Sequence, residues 1–262
     1  MPNQAALVNQ WSSCMNFLEN GVTGHRGDPQ HFPQNTIAGF EAAIKMKCDW
    51  VETDIRLTAD HRVVISHDGH TRCEADRFMV IGQSTFAELR QLNMASRFNI
   101  EHDDRTPRFD TMPSLEETLE LFRSQNQVRL FLQPKEPGTV EAAAKIIRQM
   151  KFPPEMLGFN DGHLEYLVDA KEEFPESTIF YDIYKVDNLD EDIEISRRYD
   201  FRYLVANENY LTPDAVNFIT DSGFLPGVWN IDNPGEMDRF IAMGVKRFYT
   251  DYPAVLMKKL GL

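Results

Sequence analysis

Glu52 and Asp54 stand two residues apart in the run WVETDIRL, residues 50–57, whose apolar and β-branched content reads as a strand. Alternate side chains of a strand share a face, so Trp50, Glu52, Asp54 and Arg56 point one way, and Val51, Thr53, Ile55 and Leu57 the other. Two carboxylates side by side in a confined site repel each other unless a proton or a cation sits between them. Arg56 is one candidate cation and would make the pair a structural ion network; a bound metal is another. Other residues with chemical potential end further candidate strands. They are Gly24-His25-Arg26-Gly27, Ser66-His67-Asp68 and Gln133-Pro134-Lys135. Two histidines beside two inward carboxylates, with Arg26 and Lys135 at hand, supply acids, bases and cations in one place.

Those residues need elements to hold them. Candidate strands are 22–27, 50–57, 62–67, 128–133, 155–159, 177–182, 202–206, 225–231 and 246–250. Helical patterns cover 36–47, 114–125, 139–150, 162–173, 189–198, 212–222 and 234–242. Several open on capping signals: Asn35 or Thr36, Ser114 ahead of Glu117, and Thr212 before Pro213. Alternation of this kind predicts a parallel sheet with helices outside it, and 262 residues suit one (β/α)₈ TIM barrel as a single domain. Nine strands is one too many. Residues 50–57 and 62–67 lie too close for a helical crossover, so they are expected to form an antiparallel hairpin turning near Asp60-His61. A two-residue turn there puts Asp54 opposite His67; the register one step away is the alternative. The barrel interpretation places the titratable strand ends at the carboxyl rim, where such folds build active sites. It also aims Glu52 and Asp54 into the barrel mouth. Residues 1–20 read as a short amphipathic helix, with Leu7, Trp11, Met15 and Leu18 along one side, covering the barrel bottom. Segment 69–110 has no clear strand and is expected to act as a partial lid.

Composition narrows the partners. A net charge of −14 excludes a nucleic-acid surface, which needs clustered Lys and Arg. An anionic substrate remains compatible if a local cation inverts the field in the cleft. No apolar run is long enough to span a bilayer, and the first residues lack a secretory pattern. Cys14, Cys48 and Cys73 are odd in number with no ligand-like spacing, which fits reduced, mostly packed thiols in a cytoplasmic protein.

From about Val22 to Leu256 the chain resembles the glycerophosphodiester phosphodiesterase family. The resemblance rests on H-R-G (His25–Gly27), P-x-N-T (Pro33, Asn35, Thr36) with Phe40 and Ala43, and E-T-D (Glu52–Asp54). It continues through T-x-D (Thr58, Asp60), V-V-x-x-H-D (Val63, Val64, His67, Asp68) and M-P-S-L-E-E (Met112–Glu117). It ends with V-W-N-I-D (Val228–Asp232) and G-V-x-x-x-x-T-D-Y-P (Gly244, Val245, Thr250–Pro253). The spacing of Glu52, Asp54 and His67 is also similar to that of phosphoinositide-specific phospholipase C.

The resemblance implies metal-dependent hydrolysis of a glycerophosphodiester to sn-glycerol 3-phosphate and an alcohol. It makes Glu52 and Asp54 ligands of one divalent cation, Mg²⁺ or Ca²⁺, and His25 and His67 the general acid and base. Which is which stays open, as does direct attack by water against a cyclic phosphate intermediate. Arg26 and Lys135 become phosphate partners, and Trp229 a substrate-pocket aromatic or, equally, a core residue. Hard divalent ions prefer such oxygen ligands, and imidazole pKa values suit both proton roles.

The chain departs from the family pattern at several points. Gln133 stands where a third metal-binding Glu is usual; its amide oxygen coordinates in kind but removes one negative charge. Leu157-Gly158 replaces a Ser-rich strand end, Asn230 a Thr after Trp229, and His61 a turn Gly. These changes point to a shifted substrate. The competing interpretation is a barrel that binds a phosphorylated ligand without turnover; retention of both histidines and both carboxylates favours the enzyme. His31, His70, His102 and His163 read as loop or surface residues, with His70 and Arg72 near enough to the hairpin to reach a substrate.

Overall fold

The computed structural model describes residues 15–103 and 105–262. Its strands are β1 (Val22–His25), β2 (Trp50–Leu57), β3 (Val63–Ile65), β4 (Arg129–Pro134), β5 (Leu157–Asp161), β6 (Thr178–Ile183), β7 (Tyr203–Asn207), β8 (Leu225–Trp229) and β9 (Arg247–Thr250). The order β1-β9-β8-β7-β6-β5-β4-β2, closed by β1 pairing with β2, makes an eight-stranded parallel barrel. β3 pairs antiparallel with β2 outside that ring. The fold is the expected TIM barrel with a hairpin extension.

Helices fill the crossovers: α1 (Ile37–Lys45), α4 (Leu115–Arg123), α5 (Thr139–Met150), α6 (Leu164–Glu173), α7 (Leu189–Tyr199), α8 (Pro213–Asp221), α9 (Pro234–Ala242) and α10 (Pro253–Leu260). Two short helices, α2 (Phe86–Leu89) and α3 (Ser96–Glu101), lie in the long connection after the hairpin. The capping signals act where the sequence puts them. Thr36 Oγ1 accepts from Gly39 N at 3.2 Å, Ser114 and Glu117 form a capping box, and Thr212 Oγ1 accepts from Ala215 N.

Alternation along the strands separates two cores. Val51, Ile55, Leu130, Leu132 and Phe159 pack outward against the helices. Trp50, Phe131, Phe180, Val205 and Tyr249 fill the barrel interior. Gly158 faces the same interior: a Cβ there would lie 3.0 Å from the Trp50 ring, which gives the departure at this strand a packing reason. Below the rings, Asp49 is buried between Arg129 and Arg247, bonded to both. The rings and this ion cluster close the amino-terminal end of the barrel.

Three expectations change. The hairpin register is the alternative one: Arg56 pairs with Val64, and Ser66 N donates to Asp54 O at 3.0 Å, so Ser66 and not His67 lies opposite Asp54. The turn is longer than two residues because Thr58 Oγ1 accepts from Arg62 N at 2.9 Å, with His61 left-handed at φ 55°. Most of the expected amino-terminal helix, including Leu7 and Trp11, lies outside the described residues. Met15–Asn20 is not helical, although Leu18 O does accept from Arg129 at the barrel bottom. Segment 69–110 builds a separate small core of Ile81, Leu89, Leu92 and Met94 against Val64, and none of its described residues lines the central cavity described below. Cys48 is buried but Cys73 is exposed, and Cys14 lies outside the described residues. Among the described residues no helix is long and apolar enough to cross a membrane.

Candidate active site

The carboxyl ends of the strands surround a cavity of about 940 Å³, within the usual size of small-molecule sites. His25, Arg26, Glu52, His67, Gln133, Lys135 and Trp229 all line it. Asp54 sits directly behind Arg26 and Lys135. All eight residues singled out in the sequence therefore converge.

Register explains the convergence. His25 is the Cα partner of Glu52 across β1 and β2, and Asp54 that of Gln133 across β2 and β4. After His25 the chain must turn sharply, and Arg26 adopts φ 55° and Gly27 φ 100°. A Cβ at Gly27 would approach the Gly39 carbonyl carbon to 2.7 Å, so the first turn of α1 can close on the loop only with glycine there. The strained Arg26 backbone aims its N–H at Glu52 Oε2, 3.2 Å away, and its guanidinium at Asp54 Oδ2, 3.1 Å.

Asp54 is heavily held. Besides Arg26, Lys135 Nζ lies 2.9 Å from Oδ1 and Asn35 Nδ2 donates to Oδ2 at 2.8 Å. Asn35 is fixed in turn by Thr53 Oγ1, 2.8 Å from its own oxygen. Burial opposes the charge of Asp54, but Arg26 and Lys135 outweigh it and hold the carboxyl below its ordinary range. Lys135 also bonds the Gln133 amide oxygen. Arg56 belongs elsewhere: it bonds the His67 carbonyl at 2.8 Å and Glu136 at 3.2 Å, so it is not the counter-ion of the pair.

Glu52 is different. It is 1% exposed, its Oε1 has no hydrogen-bond partner among the described residues, and no Lys or Arg is paired with it there, His25 Nε2 lying 3.9 Å from its Oε2. Burial, then the charge of Asp54, pushes its carboxyl up to about 7. An orphaned, reluctantly charged oxygen beside a second carboxylate is what a hard cation would satisfy, so the residues present fit a divalent ion. Among the described residues no three His, Cys, Asp or Glu side chains cluster as metal ligands; the Gln133 amide oxygen, the other oxygen expected of the set, bonds Lys135 here.

The two histidines have different surroundings. His25 Nδ1 lies 2.6 Å from Asp251 Oδ1. A carboxylate only accepts, so that bond puts a proton on Nδ1 and leaves Nε2 facing the cavity. Asn230 Nδ2 lies 2.8 Å from the same nitrogen, and since a protonated Nδ1 cannot accept, that contact is a hydrogen bond only with the amide turned to present its oxygen. His67 Nδ1 lies 2.8 Å from Asp68 Oδ1. Burial lowers the His67 pKa, with the Asp54 charge acting against it.

Sequence reasoning gave no role in the site to Asp251 or Asp68, offered Asn35 only as a helix cap and took Asn230 only as a departure from a family Thr. Asp251 was findable: Thr250-Asp251 ends the last strand, and in a closed barrel the last strand is the neighbour of the first. Trp229 lines the cavity with the Tyr184 ring edge-on at 5.2 Å. His70 and Arg72 pack on Phe78, away from the cavity, and His102 stacks on Phe98; His31 bonds Asp28 at 3.0 Å. His163 is at the rim, with Nδ1 2.6 Å from Asp161.

Residues 25–255 match the model of the glycerophosphoryl diester phosphodiesterase family. A glycerophosphodiester phosphodiesterase of Caldanaerobacter subterraneus is 26% identical over 241 residues, spanning 90% of this chain and 96% of that protein. One of Bacillus subtilis is 23% identical over 254 residues, spanning 90% and 85%. An Oleispira antarctica phosphodiesterase, solved with the product sn-glycerol-3-phosphate, superposes with a TM-score of 0.80 at 24% identity, covering 96% of this chain and 99% of that one.

Proposed function

Because the chain belongs to the glycerophosphoryl diester phosphodiesterase family and is a phosphoric diester hydrolase, we propose that it cleaves glycerophosphodiesters to sn-glycerol 3-phosphate and an alcohol, using one divalent cation and the His25–His67 pair. The observation carrying this reading is the buried Glu52–Asp54 pair, flanked by both imidazoles at the mouth of one cavity.

In the proposed mechanism Glu52, Asp54 and Gln133 hold the cation, Mg²⁺ or Ca²⁺. When bound, it neutralises the diester phosphate and stabilises charge on the phosphoryl oxygens. Arg26 and Lys135 hold phosphate oxygens as well as fixing Asp54. One imidazole takes the proton of the attacking oxygen, either water itself or a substrate hydroxyl whose cyclic phosphate water then opens, and the other protonates the leaving alcohol. Asp251 keeps His25 Nε2 turned to the cavity, and Asp68 orients His67. Trp229, with the Tyr184 ring edge-on against it, gives the cavity an aromatic wall for the substrate.

Purified protein incubated with glycerophosphocholine should release sn-glycerol 3-phosphate, lose that activity in EDTA and regain it with Mg²⁺ or Ca²⁺. Turnover indifferent to EDTA would remove the cation from the mechanism. Binding of the diester without release of product would make the chain a phosphoester-binding barrel instead.

A further inference from the structure

The Glu74 carboxyl is buried in the loop that follows the hairpin, and among the described residues no Lys or Arg bonds it. It accepts instead from Gln34 Nε2 at 2.7 Å, in the loop before α1. The oxygen of that same amide accepts from Arg26 Nη1 at 3.0 Å. With a carboxyl at one end and a guanidinium at the other, only one orientation of Gln34 satisfies both neighbours. The bond to Gln34 is also the one hydrogen bond of the Arg26 guanidinium among the described residues. Its Nε forms an ion pair with Asp54 Oδ2 at 3.1 Å, outside hydrogen-bond geometry.

Glu74 is itself firmly placed. Its N–H donates to Thr71 O at 3.2 Å, and its carbonyl accepts from Arg97 N at 3.0 Å in the first turn of α3. Thr71 is fully buried and ties the turn, its Oγ1 donating to Arg77 O at 2.6 Å and accepting from Met79 N at 2.9 Å. The plainer alternative is that Glu74 only fastens its loop to the loop before α1. Other contacts already do so: Arg105 Nη1 donates to Gln30 O at 3.2 Å, and the Arg108 guanidinium lies 4.8 Å from the Phe32 ring centre. An apolar side chain at position 74 would fill the space without the cost of a buried carboxyl.

The use of this chain of bonds is at its far end. One contact on a guanidinium lets its plane turn, whereas contacts at Nε and Nη1 together define it, and N–H groups remain for a phosphate oxygen. Resting on the phosphodiesterase reading, in which Arg26 holds phosphate, we propose that Glu74 and Gln34 are positioning residues, a relay that sets the plane of the Arg26 guanidinium for that contact. Neither residue lines the cavity, so segment 69–110 supports the site from outside it through Glu74.

A double-mutant cycle on glycerophosphocholine hydrolysis separates the relay from general damage to the fold. Gln34→Leu and Glu74→Leu should each lower kcat/KM about tenfold, and less than about twofold once Arg26→Ala is in place. Glu74→Gln keeps an oxygen that accepts from Gln34 and should stay within about threefold of the wild type. Equal losses with and without Arg26, or a Glu74→Gln as slow as Glu74→Leu, would overturn the proposal. The crystal structure of Gln34→Leu decides the same point without turnover, and serves if the Arg26 variant fails to fold. There the guanidinium should leave its contact with Asp54 or take a second orientation; an unmoved guanidinium rejects the relay. If the wild type turns over no diester, the functional reading fails, while that structure still judges the relay.

Discussion

Asp251 Oδ1 lies 2.6 Å from His25 Nδ1, joining the end of the last strand to the end of the first at the seam where the barrel closes. The contact makes a residue 226 positions away the orienting partner of a proposed proton-transfer group.

Asp251→Asn should lower kcat by about 100-fold while changing KM little, because an amide can bond either tautomer of the ring and no longer selects one. Steady-state kinetics on glycerophosphocholine checks this. An equal fall through KM alone would give Asp251 a role in binding instead.

Gln133→Glu should tighten divalent binding by about tenfold, since it restores a charge to the oxygen set. Calorimetry on the metal-free protein measures it. Unchanged affinity would place residue 133 outside the metal shell, leaving it only its present partner, Lys135.

Glu74 gives a pH dependence of stability. It is 8% exposed, accepts from Gln34 at 2.7 Å, and burial pushes its carboxyl up to about 7. The folded state thus keeps a proton that the unfolded chain has released. The resulting stability penalty is absent below about 4.5, the unperturbed value, and grows as pH rises through about 7. Glu74→Gln should therefore gain in melting temperature over the wild type at pH 8 but not at pH 4.5. Parallel melting curves at the two pH values test it.

Asp49→Ala should destabilise the fold by about 3–5 kcal/mol, because it leaves the buried Arg247 without its carboxylate. Urea denaturation measures the loss. Asp49 is at the opposite end of the barrel from His25 and Glu52, so the folded fraction should keep its KM.

The sequence made the barrel legible because its signals are local and repeated: alternation in WVETDIRL, caps at Thr36, Ser114 and Thr212, and polar strand ends. The inward aim of Glu52 and Asp54 follows from parity alone. The hairpin register did not, because it turns on one side-chain bond from Thr58 that competes with a tighter turn. Pairings across the barrel were illegible for another reason. Arg26 with Asp54 and His25 with Asp251 depend on which strands become neighbours and how deep each side chain reaches, and no local pattern encodes that. Segment 69–110 misled because loop length suggested a cover, whereas its Ile81, Leu89 and Leu92 bury each other against the hairpin.

Among the described residues, a barrel plugged at its lower end by Trp50, Phe131, Phe180 and the Asp49 ion cluster opens at its carboxyl end. Whatever enters must back out the same way, and the two fragments of a cleaved molecule leave in turn. With Arg26 and Lys135 on the phosphate as proposed, the phosphomonoester fragment would depart last and compete with the next arrival, so accumulating product would brake turnover.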